Sequence, residues 1–259
     1  MNKRRSCLTV PADDERKLAR AAGVAADEVI IDLEDAVAPE RKDAARETAA
    51  RALRDLTWAA PTVAVRVNGA RTAWHADDLL VAREAAVVVV PKVESPYELE
   101  GLGACEALIE TARGLVDCEA IAQTAGLEAL VFGPGDLAAS LGVPALTIGE
   151  GAHSDYALAR ILVAARANGV QAIDGPFPYH ADANGLRASA QRSRAFGYDG
   201  KWCIHPSQVE LCNEIYAPTE EELERARRIL ASSGVTSVDG EMIDEANRRM
   251  AEAIVARAG

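Results

Sequence analysis

An α/β fold, closed as a (β/α)8 TIM barrel with a C-terminal helical extension, is predicted by three observations. Eight apolar runs of strand length recur along the 259 residues. Each is followed by a stretch of helical composition, the alternation that builds a parallel sheet with crossover helices. The first strand lacks a G-x-G-x-x-G turn, which removes the main support for an open dinucleotide-binding sheet.

The strands are expected at Cys7–Val10, Glu28–Leu33, Thr62–Val67, Ala86–Pro91, Ala107–Glu110, Ala129–Phe132, Val170–Asp174 and Trp202–His205. Between them, Arg41–Leu53, Asp155–Ala167 and Leu186–Phe196 are rich in Ala, Leu, Arg and Glu, which favour helix. The second and third of these run out at Gly169 and Gly197, the usual helix stop. After the eighth strand, Glu220–Ala231 and Glu241–Ala258 read as helices separated by a loop over Ser232–Gly240. The division expected is a catalytic barrel over residues 1–217 and a helical extension or lid over 218–259.

Composition excludes several function classes. A net charge of −12 argues against nucleic acid, which demands a basic stripe. No apolar run approaches the roughly 20 residues of a membrane span, and none follows the basic start MNKRRSCLTVPADD at signal-peptide length. A soluble cytoplasmic protein is expected. The five cysteines are odd in number and form no C-x-x-C pair, which suits buried reduced thiols rather than a zinc site.

Barrel enzymes build their sites at the C-terminal ends of the strands. There the chain places Asp32-Leu33-Glu34-Asp35, Arg66-Val67-Asn68, Pro91-Lys92, Glu110, Gly133-Pro134-Gly135-Asp136, Asp174 and His205. Taken singly, each has a structural alternative. Asp136 suits a helix N-cap as well as a metal, Glu110 suits a salt bridge, and His205 suits packing at the barrel end. Arg66 alternates with Val65 and Val67, so it faces inward and needs an anion, with Asp32, Glu34 and Asp35 as candidates. Taken together, several acids on one rim repel unless a cation joins them. Glu110 and Asp136 with open positions suit Mg²⁺, and Mg²⁺ beside an arginine suits enolate chemistry on a keto acid. Lys92 and Lys201 keep a Schiff-base aldolase as a less favoured alternative, with Lys201 expected at the opposite end of its strand.

Seven segments in register, IIDLEDAVAPERKDAAR, VAVRVNG, VVVVPKVES, ALIETARGL, VFGPGDLAASLG, AIDGPF and FGYDGKWCIHPSQVE, resemble the citrate lyase beta-subunit family, which includes malyl-CoA and citramalyl-CoA lyases. The resemblance implies a Mg²⁺-dependent lyase acting on a CoA thioester and yielding a 2-keto acid, usually as a homotrimer or hexamer. It implies Glu110 and Asp136 as metal ligands and Arg66 as the group that steadies the enolate. Glu34 and Asp35 match the family's acidic turn, and Arg66, Pro134 and Gly135 are expected to face the substrate. The tail Asp239-Gly240-Glu241-Met242-Ile243-Asp244 is similar to the family's lid, whose last acid, here Asp244, serves a neighbouring subunit as acid/base. A beta subunit working with partner chains on an acyl-carrier thioester, or a metal-dependent pyruvate aldolase, is the alternative. The chain departs from the family at Val10-Pro11-Ala12, where Val-Pro-Gly is usual, and at Asn184, where an acid is common.

Overall fold

In this computed structural model the residues described are 3–143, 151–232, 236–238 and 241–258. Eight parallel strands close into a barrel in chain order. They are β1 (Ser6–Pro11), β2 (Glu28–Asp32), β3 (Thr62–Arg66), β4 (Val87–Val90), β5 (Cys105–Ile109), β6 (Leu127–Phe132), β7 (Gln171–Asp174) and β8 (Gly200–Cys203). Closure is made by β1 against β8, where Cys7 pairs with Trp202.

The helices between them are α1 (Glu15–Ala22), α2 (Lys42–Asp55), α3 (His75–Ala82), α4 (Ala112–Ile121), α5 (Pro134–Ser140), α6 (Ala152–Asn168) and α7 (Ala183–Phe196), with α8 (Val209–Tyr216) after β8. Local chemistry explains their ends. Asp14 accepts the Arg16 and Lys17 N–H groups to start α1, and Thr111 accepts the Gly114 N–H to start α4. Gly169 and Gly197 close α6 and α7 in the left-handed conformation, as the sequence predicts. One crossover differs from the βα expectation. Between β4 and β5 the chain makes only a 3-10 turn, Pro96–Leu99, followed by Gly101 and Gly103 at φ 75° and 77°. Pro96 and two left-handed glycines leave too little continuous backbone for an α-helix.

Inside the barrel, alternate residues from each strand pack in an apolar layer that includes Ile30, Ala64, Val89, Leu108, Val131 and Trp202. All five cysteines are buried and free. Among the described residues, no helix is long and apolar enough to cross a membrane.

The N-terminal mouth of the barrel is sealed by charge. Arg4, just ahead of β1, is fully buried and places its Nε 2.7 Å from Glu106 Oε1 and 3.3 Å from Glu28 Oε1. Its other nitrogens reach Gln171 Oε1 at 2.7 Å and the Glu128 carboxylate. Burial pushes the Glu28 and Glu106 carboxyls upward, and Arg4 only partly offsets this.

The chain divides into two compact units, Met1–Asn213 and Glu214–Gly259. The second holds α9 (Glu220–Ala231), a hairpin of β9 (Thr236–Val238) and β10 (Glu241–Ile243), and α10 (Glu245–Ala258). Thr219 and Glu222 form a capping box at the start of α9, and Ala226, Ile229, Ile243 and Ala251 make the unit's core. The hairpin corrects the expectation of helix from Glu241 and of a plain loop before it. The β-branched Thr236, Val238 and Ile243 favour strand, and α10 starts only where Asp244 caps it. Asp239 and Gly240 of the expected lid lie outside the described residues.

Arg4→Met tests the sealed mouth. Removing one partner of a buried ion network should cost about 3–5 kcal/mol in urea unfolding. The loss should shrink as the pH is lowered, because the stranded carboxyls can then become neutral.

Candidate active site

The inward alternation that makes the apolar layer continues one step further at the strand ends and turns polar. Asp32 follows Ile30, Arg66 follows Ala64 and Glu110 follows Leu108, each two residues on, so all three face the barrel axis at its C-terminal mouth. Asp32 and Arg66 are direct register partners on β2 and β3.

They form a bidentate pair, with Arg66 Nε 2.7 Å from Asp32 Oδ1 and Nη2 2.6 Å from Oδ2. The third nitrogen, Nη1, lies 3.1 Å from Glu34 Oε2, and the guanidinium stands over the Trp202 ring at 5.2 Å. Burial works against the Arg66 charge, but Asp32 and Glu34 outweigh it and hold the group firmly protonated. Asp32 also accepts the backbone N–H groups of Glu34 and Ala36, which folds the acidic turn around itself. Lys42 of α2 pins the other side of that turn, donating to the carbonyls of Leu33 and Glu34 at 2.7 Å each.

Glu110 is buried at the end of β5, and its Oε1 accepts the Lys92 backbone N–H at 2.8 Å. Its carboxyl is pushed up to about 7, first by burial and next by the charge of Asp136, against the pull of Lys92 and Arg66. Gly133, at the end of β6, makes room for it: a Cβ there would stand 2.4 Å from Glu110 Oε2. Asp136 is the third residue of α5, half-exposed, and it is not the cap; that position belongs to Gly133, which offers no side chain. Its Oδ1 lies 3.7 Å from Lys92 Nζ, and the same ammonium contacts Glu34 and stands 3.7 Å from Asp35 Oδ1. Burial raises the Glu34 carboxyl, opposed by Arg66 and Lys92.

Glu34, Asp35, Arg66, Glu110 and Asp136 therefore gather at one mouth, as the strand-end counting anticipates. Pro134 is buried as the first residue of α5, while Gly135 beside it is exposed with open space where a side chain would project. Asp244 belongs to the second unit, where its carboxylate accepts the Ala246 and Asn247 N–H groups at the start of α10. Asp174 is taken by Lys201, whose Nζ approaches to 2.5 Å, so this lysine reaches the strand-end carboxylate rather than the opposite mouth. His205 is exposed, caps the turn Pro206–Gln208 and stacks on His180 at 4.8 Å.

Sequence reasoning undervalues three residues here. Lys92 reads only as a Schiff-base candidate, although its place directly after Pro91 puts it on the same mouth. Asp32 reads as one of three equivalent acids. Lys42 carries no periodic signal, because a buried lysine on a helix start looks like any exposed one.

Glu110 and Asp136 suit a hard divalent cation. Both are carboxylates, and the charge of Asp136 adds to burial in raising the Glu110 carboxyl. No group of three or more His, Cys, Asp or Glu gathers as a metal cage among the described residues. Two protein oxygens with remaining positions left to water or substrate is the arrangement Mg²⁺ prefers.

A closed (β/α)8 barrel whose mouth joins a fixed arginine to a pair of cation-ready carboxylates defines a class of metal-assisted enzymes acting on oxyanionic substrates. The chain belongs to the HpcH/HpaI aldolase/citrate lyase family, whose pattern matches residues 5–206. It is 35% identical to a (3S)-malyl-CoA thioesterase of Cereibacter sphaeroides over 98% of this chain and 94% of the relative. It is 33% identical to an L-malyl-CoA/beta-methylmalyl-CoA lyase of the same organism, over 92% and 89%. Among solved structures, CitE of Mycobacterium tuberculosis, in complex with magnesium, acetoacetate and coenzyme A, superposes with a TM-score of 0.85 at 36% identity, covering 98% of this chain and 97% of that one. An enzyme of carbon–carbon lyase type agrees with this membership.

Gly133→Ala tests the close approach to Glu110. The added methyl must displace the carboxylate or the β6 end, costing about 1–3 kcal/mol of stability. Calorimetric binding of divalent cation should be lost in the same variant.

Proposed function

We propose that the chain is a magnesium-dependent lyase that cleaves a β-hydroxyacyl-CoA, such as malyl-CoA or citramalyl-CoA, into acetyl-CoA and a 2-keto acid. The observation that carries this reading is the Asp32-fixed guanidinium of Arg66 sharing one mouth with Glu110 and Asp136. Magnesium held by Glu110 and Asp136 would supply Lewis-acid polarisation of the keto acid's oxygens. Arg66 offers a donor that needs no reorganisation as negative charge builds on the thioester oxygen. Asp32 and Glu34 keep that donor from turning away. Pro134 and Gly135 form the substrate-facing turn beside Asp136, with Gly135 leaving space for the substrate.

The hydroxyl proton passes to a base, for which Asp244 of a neighbouring protomer is the proposed group, its segment acting as a lid. The C–C bonding pair then becomes the acetyl-CoA enolate, whose carbon takes up a proton to finish the reaction. The reverse condensation uses the same groups. The assembly that fits this arrangement is a homotrimer or hexamer.

The thioesterase name carried by relatives at 35% identity, against 33% for the lyase, favours a second reading, hydrolysis of the same thioester to CoA and a hydroxy acid. Products separate the two. Purified chain with Mg²⁺ and malyl-CoA should release glyoxylate with no free thiol. Free CoA without glyoxylate would establish the thioesterase and overturn the lyase. Glu110→Ala should lower either activity by at least about 100-fold.

Glu110 also sets a pH dependence. Its carboxyl is raised, so the stability it contributes in the absence of added metal is fully present below the ordinary carboxylate range and is lost as the pH rises through about 7. Below pH 7 magnesium must displace its proton, and affinity should fall about tenfold per pH unit. Calorimetric titrations at pH 6 and 8 check this, with tighter binding expected at pH 8.

A further inference from the structure

Lys92 is the one residue other than glycine with positive φ among the described residues, at 54°. Side chains avoid this region because Cβ crowds the following carbonyl, so the surroundings must enforce it. The enforcement is visible at the residue that follows. Val93 donates its N–H to Leu108 O at 3.2 Å, and its carbonyl lies where a Cβ on Gly114 would stand, 2.2 Å away, so α4 starts directly against it.

This backbone does two things at once. It aims the Lys92 N–H at Glu110 Oε1, and it turns the side chain across the mouth of the barrel. The ammonium there meets Glu34, with Asp35 and Asp136 each at 3.7 Å. Burial is the largest influence and disfavours its charge, and the carboxylates of Glu34, Glu110 and Asp35 together outweigh it. One fixed cation is thus shared between the acidic turn after β2 and the acid of α5.

Resting on the magnesium reading above, we propose that Lys92 is a tethered cation that competes with the divalent ion for Asp136. It is a positioning residue that holds the acidic mouth assembled without metal and lowers the affinity for Mg²⁺. Two cations drawn to one carboxylate repel, so the ammonium weakens binding of the ion that it prepares for. Glu34 and Asp35 give it other partners, and the contact to Asp136 is the one that a bound ion takes over.

The experiment uses the full-length chain and Mg²⁺ alone, by calorimetry, with Mn²⁺ titration by electron paramagnetic resonance as a second readout. Lys92→Met, with Lys92→Gln as a second neutral variant, should bind either ion about three- to tenfold tighter than wild type. Both should melt lower in chelator and gain more from added Mg²⁺ than wild type does. Lys92→Arg, which keeps the charge, should bind within about twofold of wild type. A merely structural lysine would lower the melting temperature without tightening the metal. Unchanged or weaker binding in a folded neutral variant overturns the inference, as does tightening in Lys92→Arg equal to that in Lys92→Met. Should wild type bind no ion, or Glu110→Ala bind as well as wild type, the magnesium reading itself falls and takes the Lys92 role with it.

Discussion

Arg66 carries its charge inside the barrel because Asp32 stands beside it in register on the neighbouring strand. A buried arginine without a carboxylate would be prohibitively costly, and a buried carboxylate without an arginine would take up a proton. The pair contributes placement more than stability. Asp32 uses the same oxygens to gather the Glu34 and Ala36 N–H groups, so the acidic turn takes its shape from the residue that fixes the arginine. Glu34 then bridges Arg66 to Lys92, and the Lys92 backbone holds Glu110. Each functional group at the mouth is connected to the next by a charged contact that begins at Asp32.

The two ends of the barrel solve one electrostatic problem in different ways. At the N-terminal mouth, Arg4 is enclosed by Glu28, Glu106 and Glu128, and burial drives the first two carboxyls upward. At the C-terminal mouth, Arg66 has comparable partners, but Asp136 and Lys92 remain partly open to solvent. The closed end can only fix the geometry of the strands. The open end leaves charge that an incoming cation or oxyanion can still satisfy, and this is why chemistry is expected there.

Relatives named as lyases and as thioesterases align with nearly the whole of this chain at similar identity. Either reaction places negative charge on a thioester oxygen, and a preorganised guanidinium serves both. What differs is whether a base removes the substrate's hydroxyl proton or a water attacks the carbonyl. The distinction therefore lies with the acid/base group and the access of water, not with the Asp32–Arg66 frame.

The sequence by itself determined the strand order, the barrel and the set of polar residues delivered to one mouth. Period-two alternation is a local property: once Ile30, Ala64 and Leu108 face the core, Asp32, Arg66 and Glu110 must follow them inward. Glycine stops are local too, so the C-terminal ends of α6 and α7 were legible, while both helices start three residues earlier than expected. The β9–β10 hairpin, short and paired with nothing but itself, was masked by the helical composition that follows it. Only the tertiary structure decided which acid meets which base. Asp32 rather than Asp35 took Arg66, Lys201 took Asp174, Lys42 turned inward, and Lys92 spanned three carboxylates from a left-handed backbone. Apart from Lys42, which reaches back to Leu33 and Glu34, those pairings join residues tens of positions apart, and they depend on strand register and barrel closure, which no local pattern encodes.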